Sequence, residues 1–283
     1  MLSLGRKGLH TFESLPHLHA ERLTASQDIR HVQQIDQYLK DRGIVKISLD
    51  FEDDECSYLE KLILQLHKYH GHGLPITHSA SRGWFWDVRP QPAALAEAIS
   101  TSQARSETMN NFPWHTDCSY EVAPPRYFAL QVLRADHCGG GTLSVLDTAR
   151  LMSLLSPQSC EALTQPEFRI TVPPEFIKNQ NELEIIGPIL HVEESGGKAQ
   201  LRFRADIVSP LTSRADVALQ ELQQVLVSAE LRSEVMDLTP QALPRGSIVV
   251  MDNRRCLHAR NHVRDPQRHL RRVRWDARPF TAE

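Results

Sequence analysis

The sequence predicts an α+β domain in which a few helices come first and seven or more strands follow, their sheets forming a sandwich or barrel. Three observations carry this. Helical periodicity is confined to three segments. Short β-branched or alternating runs bounded by Gly, Pro or Asp fill most of the rest, and the two kinds of segment rarely alternate as βαβ units, which disfavours a doubly wound nucleotide fold. With 283 residues, 41% of them hydrophobic, and no repeat or Gly/Ser-rich linker, one domain over 1–283 is expected, its residues 1–20 forming a flexible arm.

The elements follow in order. Ser26 sits as an N-cap, Ile29, Val32, Ile35 and Leu39 recur at helical spacing, and Gly43 occupies the C′ position. A strand follows over 44–49. A second amphipathic helix runs from Asp54 to about His70 through Tyr58, Leu59, Leu62, Ile63 and Leu66, and a third from about Thr212 to Glu230. Strands are expected over 127–135, 142–147, 168–172, 186–192, 199–205, 246–252 and 269–275, with a hairpin turn at Ser195-Gly196-Gly197. The run Gly139-Gly140-Gly141 lacks a GxGxxG or GxxxxGK[ST] frame and reads as a tight turn before a strand. The irregular stretch 173–189 has the character of a lid.

Composition excludes several functions. No apolar stretch is long enough for a bilayer span, and the first twenty residues lack the apolar centre of a secretory signal, so a cytosolic location is expected. Five scattered cysteines with no CxxC pair argue for reduced thiols. Nine arginines crowd into 254–278, but a pI near 6.5 and few aromatics disfavour nucleic acid. A small-molecule partner is expected, and homo-oligomerisation stays open.

The sharpest motif is Trp114-His115-Thr116-Asp117. On an extended backbone His115 and Asp117 project from one face and can reach one metal. A His-x-Asp triplet alone is weak, because roughly 0.8 are expected by chance in a chain with this many histidines. A second context strengthens it: the apolar run 246–252 enters a polar turn and places His258 just beyond, about 140 residues after Asp117. Two imidazoles and a carboxylate form the arrangement that holds non-haem Fe(II) with open positions, and the same ligands also suit tetrahedral zinc. Thr142, after the triple glycine, and Arg268 and Arg272, ten and fourteen residues after His258, add a slot for a dicarboxylate.

These residues give the chain its resemblance to Fe(II)/2-oxoglutarate-dependent oxygenases of the taurine dioxygenase superfamily, which includes γ-butyrobetaine hydroxylase and clavaminate synthase-like amino-acid oxygenases. WHTD, GGGTL, DNRRCLHAR and RHLRR stand in the family's order, mainly within 110–148 and 244–276. The interval from His258 to Arg268 is shorter than the amino-acid oxygenases usually have. The resemblance implies a double-stranded β-helix (jelly-roll) barrel with flanking helices, Fe(II) on His115, Asp117 and His258, and 2-oxoglutarate and O2 as cosubstrates. It implies Thr142 and Arg268 at the distal carboxylate of 2-oxoglutarate. Arg272 and Asn111 would meet the substrate, with His78 a weaker candidate. The implied reaction is hydroxylation, desaturation or oxidative cyclisation of a small carboxylate-bearing metabolite, an amino acid or derivative first and a betaine or sulfonate second. A zinc hydrolase and a non-catalytic 2-oxoglutarate-binding sensor are the readings from other classes.

The remaining histidines and arginines receive plainer assignments. His67, His70 and His72 are read as cations favoured at a helix C-terminus, and His10, His17 and His19 as exposed. Arg264, Arg271 and Arg274 are read as a solvated face, while Arg254, Arg255 and Arg260 anchor the turn that presents His258.

Overall fold

Asp28, whose carboxylate accepts the His31 N–H at 2.9 Å, starts helix α1 (Ile29–Arg42), and Gly43 ends it in the left-handed region at φ 73°. Ser26, expected as the cap, lies instead in a preceding 3₁₀ turn, where its hydroxyl donates to the Leu23 carbonyl at 2.7 Å. Helix α2 (Ser57–His70) begins three residues later than expected, because the Asp53 carboxylate accepts the N–H groups of Ser57 and Tyr58, both at 2.8 Å. The computed structural model describes residues 15–77, 83–91, 104–192 and 198–280. His10, His78 and the turn 195–197 lie outside the described residues.

Fifteen strands are described: β1 (His17–Ala20), β2 (Ile44–Leu49), β3 (Phe85–Val88), β4 (Phe112–His115), β5 (Pro125–Arg134), β6 (Leu143–Asp147), β7 (Phe168–Thr171), β8 (Glu184–Gly187), β9 (Leu190–Val192), β10 (Ala199–Leu201), β11 (Val208–Pro210), β12 (Met236–Leu238), β13 (Ser247–Asp252), β14 (Cys256–Arg260) and β15 (His269–Ala277). They form a six-stranded sheet in the order β1-β2-β13-β5-β15-β3, a four-stranded sheet β12-β6-β14-β4, a three-stranded sheet β11-β7-β8 and the pair β10-β9. All pairings are antiparallel except β1 with β2. The end of the expected arm is therefore a sheet strand: His17–Ala20 pairs with Lys46–Leu49.

Period-two alternation divides the large sheet between two cores. Val45, Ile47, Ile248, Val250, Val273 and Trp275 face α1 and α2, while Val249, Met251, Phe128, Val132 and Leu270 meet Leu143, Val145 and Leu238 of the four-stranded sheet. The two sheets thus face each other across one apolar layer, in which each fully buried side chain contributes about 1.5–3 kcal/mol. A third core gathers β7, β9, β10 and β11 against α5 (Ser213–Leu226, capped by Thr212) and two helices that periodicity missed, α3 (Thr148–Ser153) and α4 (Pro157–Leu163). At 6 and 7 residues those two are too short to show a periodic face, and Asp147 and Ser156 cap them. The chain past Leu226 breaks before a short α6 (Ala229–Arg232), and the expected lid segment holds a 3₁₀ turn at Pro174–Phe176 and strand β8. No helix among the described residues is long and apolar enough to cross a membrane.

The histidines at the end of α2 differ from expectation. His70 Nδ1 and His72 Nε2 flank the Asp36 carboxylate of α1 at 3.0 and 3.1 Å. His72 is buried, stacks on Tyr127 at 4.5 Å and accepts the Trp275 indole N–H at 3.1 Å. His70 thus ties α2 to α1, and His72 ties both to the large sheet, while His67 and His70 lie in the last turn of α2.

Candidate active site

Strand β13 ends at Asp252, the turn 253–255 reverses the chain, and β14 returns carrying His258. Three arginines brace that turn and strand, as the sequence suggested. Arg254 donates to the Pro124 carbonyl at 2.9 Å, Arg255 to the Leu39 and Lys40 carbonyls at the end of α1 at 3.1 and 3.0 Å, and Arg260 to the Thr108 carbonyl at 2.9 Å. In the β14–β4 register His258 stands opposite His115, and their ring centroids are 4.2 Å apart. Beyond β4, Thr116 turns away and is held by Phe203, which accepts its N–H at 2.8 Å and donates to its hydroxyl at 3.0 Å. Asp117 is then fixed by Asn253, whose side-chain oxygen accepts the Asp117 N–H at 2.7 Å and whose amide donates to the Asp117 carbonyl at 2.9 Å. Sequence reasoning missed Asn253; the signal was an amide side chain in a tight turn beside the histidine strand.

His115, Asp117 and His258 are buried, and their ligand-type atoms lie within 4.8 Å of one another. His115 Nε2 is 3.7 Å from Asp117 Oδ1, and His258 Nε2 is 3.9 Å from the same oxygen. These gaps are too long for hydrogen bonds. They suit one ion between the donors, since two atoms each about 2.0–2.2 Å from a metal lie at most about 4.4 Å apart. His115 Nδ1 is 2.8 Å from the Pro113 carbonyl, an acceptor, so the proton sits on Nδ1 and the Nε2 lone pair faces Asp117. Burial, reinforced by His258, holds the His115 pKa well below its ordinary value, which keeps the ring neutral. Burial alone raises the Asp117 carboxyl, but Arg272 and Arg274 outweigh it and hold the group well below the carboxylate range. His115 therefore offers a neutral nitrogen and Asp117 an ionised carboxylate, the states a divalent metal requires, with the His258 ring beside them.

Arg268 precedes β15 and is 5% exposed in a hollow lined by Leu130, Val132, Leu143, Leu243 and Leu270. Among the described residues no carboxylate lies within 4 Å of its guanidinium. Burial, with help from Arg260, lowers its pKa to about 9, while the more distant Asp136 opposes the shift. The triple-glycine turn makes room for it. Gly141 has φ +68°, and a Cβ there would lie 2.8 Å from Arg268 Nε; a Cβ on Gly140 would lie 2.4 Å from the His262 carbonyl. Thr142 follows at the start of β6, its N–H donating to Asn261 Oδ1 at 2.8 Å. Gly141, the residue before Thr142, lies against Arg268.

Asp136 ties this corner together and was also missed. Its carboxylate accepts four backbone N–H groups, from Cys138 at 2.8 Å, Gly140 at 3.1 Å, Arg264 at 2.7 Å and Asp265 at 3.2 Å. Burial alone would raise this carboxyl; the backbone donors outweigh it and leave the pKa lowered. Each charge-assisted bond contributes roughly 1.5–3 kcal/mol, so Asp136→Ala is expected to destabilise the fold by about 3 kcal/mol or more at neutral pH. A lowered native pKa stabilises above the unfolded value of about 3.9 and is lost as pH falls through the native value. Urea melts from pH 7 downwards check this: the deficit of the variant should shrink below about pH 4.

The arginines of β15 divide otherwise than the sequence reading assigned. Arg264 is exposed and Arg271 pairs with Asp87 at 3.0 Å, both outside the site. Arg274, read as solvated, is 3% exposed, with its Nε 2.9 Å from Asp117 Oδ2. It stands two residues from Arg272 and so projects to the same side, where Arg272 Nη1 lies 3.2 Å from Asp117 Oδ2. The cleft beside the trio is lined by Arg272 and Arg274 with Phe112, Tyr120, Phe176 and Arg204. Asn111 is exposed and is not among the residues lining this cleft.

Facing antiparallel sheets carry a buried His-x-Asp and distal histidine at one end that could hold one metal ion, with a guanidinium hollow beside them. Family comparison agrees over nearly the whole chain. This protein belongs to the Taurine catabolism dioxygenase TauD, TfdA family, whose model matches residues 11–274. It is similar to the L-asparagine oxygenase of Streptomyces coelicolor, 31% identical over 169 residues, which are 59% of this chain and 46% of that protein. It is also similar to a 3-((Z)-2-isocyanoethenyl)-1H-indole synthase of Fischerella ambigua, 26% identical over 59% of this chain and 63% of that one. The chain thus spans less than two thirds of the length of these curated relatives. Among solved structures, asparagine oxygenase in complex with Fe(II), 2S,3S-3-hydroxyasparagine and succinate superposes with a TM-score of 0.67 at 22% identity, covering 90% of this chain and 83% of that one. The non-heme iron oxygenase OrfP in complex with Fe, succinate and (3R,4R)-dihydroxy-L-Arg gives 0.67 at 17% identity, over 92% and 93%.

Proposed function

We propose that this protein is an Fe(II)- and 2-oxoglutarate-dependent oxygenase on a double-stranded β-helix barrel, acting on a C–H bond of a small carboxylate-bearing metabolite, an amino acid or its derivative. The observation that carries the reading is the pairing of two features across β6 and β14: a buried His115-Asp117-His258 trio, and a buried Arg268 guanidinium with no carboxylate partner among the described residues. A hydrolytic zinc site accounts for the first and gives no reason for the second, since a lone buried cation costs several kcal/mol unless an anion meets it.

Bound Fe(II), with 2-oxoglutarate and O2, supplies an oxidant able to take hydrogen from an unactivated C–H bond, the cosubstrate leaving as succinate and CO2. The chain's own residues do the rest. His115 and His258 present ring nitrogens and Asp117 a negative charge. Arg268 and the Thr142 hydroxyl hold the distal carboxylate of 2-oxoglutarate, and the apolar wall of Leu130, Val132 and Leu270 excludes water from its methylenes. Arg272 meets an anionic group of the substrate. The relatives that carry hydroxylated asparagine and arginine support an amino-acid substrate; a betaine or sulfonate is the second choice, which Arg272 serves equally well. A mass-spectrometric screen of amino acids and small sulfonates with Fe(II), 2-oxoglutarate and O2 tests this. One compound should be consumed in step with succinate release; consumption that proceeds with zinc and without 2-oxoglutarate contradicts the reading.

A further inference from the structure

We propose that Arg272 and Arg274 form a two-guanidinium clamp for an oxyanion of the substrate, and that Asp117 occupies this clamp until a metal claims it, so that metal and substrate anion bind cooperatively. The proposal rests on the functional reading above and extends it to Arg274. Arg272 and Arg274 are 6% and 3% exposed and project from the same side of β15 into the cleft. Asp117 lies 3.2 Å from Arg272 Nη1 and 2.9 Å from Arg274 Nε, and among the described residues it is the only carboxylate within 4 Å of either. Arg274 also donates to the Cys118 thiol through Nη1, and Arg272 Nε and Arg274 Nε are both buried N–H groups with no hydrogen-bond partner among the described residues.

One negative charge therefore serves two buried guanidiniums and also completes the metal trio. A carboxylate drawn onto a divalent ion gives up much of its charge to that ion. Two buried cations beside a third would then face each other with too little compensation, a costly arrangement. A planar or tetrahedral oxyanion with two or more oxygens restores the balance, since each guanidinium presents a fork of donors. A carboxylate or sulfonate on the substrate has this chemistry. Arg204, on the same cleft wall, already holds Asp206 through two bonds of 2.8 and 2.9 Å, so it is not the group left short of an anion. Linkage makes the coupling reciprocal: an anion in the clamp frees Asp117 for metal, and metal frees the clamp for the anion.

The test is Mn(II) affinity by calorimetry on the full chain, with and without saturating methanesulfonate at constant ionic strength. Methanesulfonate is a probe oxyanion that ligates divalent metals weakly. Wild type should bind Mn(II) about tenfold tighter with the probe, within the usual range of coupling. Arg274→Met should bind Mn(II) about tenfold tighter than wild type without the probe and lose the probe's effect, because the competitor for Asp117 is gone; a purely structural role for Arg274 predicts weaker metal binding. Arg274→Lys should keep part of the coupling, and with the wild-type pair it decides the matter if the methionine variant does not fold. Wild-type affinity indifferent to methanesulfonate, or a folded Arg274→Met that binds Mn(II) more weakly, overturns the clamp. Succinate release without coupling overturns the clamp alone. Coupling without 2-oxoglutarate turnover overturns the functional reading and leaves the clamp standing.

Discussion

His115→Ala protein is expected to lose Fe(II) and Mn(II) binding at concentrations that saturate the wild type, and to release succinate at a rate indistinguishable from protein-free controls. Loss of a residue that merely orients a metal ligand costs about 10–100-fold in affinity, and a direct ligand costs more. The geometry sharpens this expectation. The Pro113 carbonyl fixes the His115 ring so that one nitrogen faces Asp117. With the imidazole gone, His258 and Asp117 remain, and Asp117 has two guanidiniums at 2.9 and 3.2 Å to compete for it. Fold loss is separable from metal loss. His115 stacks on Phe112 at 3.6 Å, so removing it leaves a hole at the sheet edge, whose cost of order 1–2 kcal/mol should lower the melting temperature without abolishing the transition. Calorimetry and a circular-dichroism melt on the same sample separate the two.

The second large effect belongs to Arg268. Arg268→Met is expected to raise the KM for 2-oxoglutarate by about 100-fold or more while kcat at saturation falls only a few-fold, because the lost contact lies at the far end of the cosubstrate. Arg268→Lys should recover part of the loss, since an ammonium keeps the charge without the two-pronged geometry. The same substitution should act in the opposite direction on the cosubstrate-free protein. The native guanidinium is 5% exposed among leucines and valines, with its pKa lowered to about 9, so an apolar chain of similar length should leave the fold as stable as wild type or more stable by about 1–3 kcal/mol. Steady-state kinetics and a urea melt without 2-oxoglutarate check the two halves. A destabilised Met variant with unchanged KM would mean that Arg268 is a structural residue.

Much of this site was legible before the fold was known, because its parts are spaced regularly in sequence. His115 and Asp117 are two apart next to an extended segment, His258 follows an apolar run that had to be a strand, and the triple glycine had to be a turn. What escaped depends on partners far away in the chain. Asn253 acts on a backbone 136 residues earlier, and Asp136 on one 128 residues later. Neither distance leaves a local pattern. Arg274 was a different case: alternation from Arg272 puts it on the inner side, with Val273 and Trp275 turned to the helices, yet a cluster of nine arginines invited a solvated reading. The helices at 148–163 were missed because caps, not periodicity, define them. Asn111 is exposed and stands apart from the cleft lining, since a turn residue next to a site strand need not face the site.

If the trio and the Arg268 hollow serve one metal-dependent oxidation, the stoichiometry of O2 consumed and succinate formed in the presence of Fe(II), 2-oxoglutarate and a candidate substrate reads it out. One O2 and one succinate are expected per substrate oxidised, with no activity when zinc replaces iron. Substrate turnover that is supported by zinc, consumes no O2 and ignores 2-oxoglutarate would contradict it.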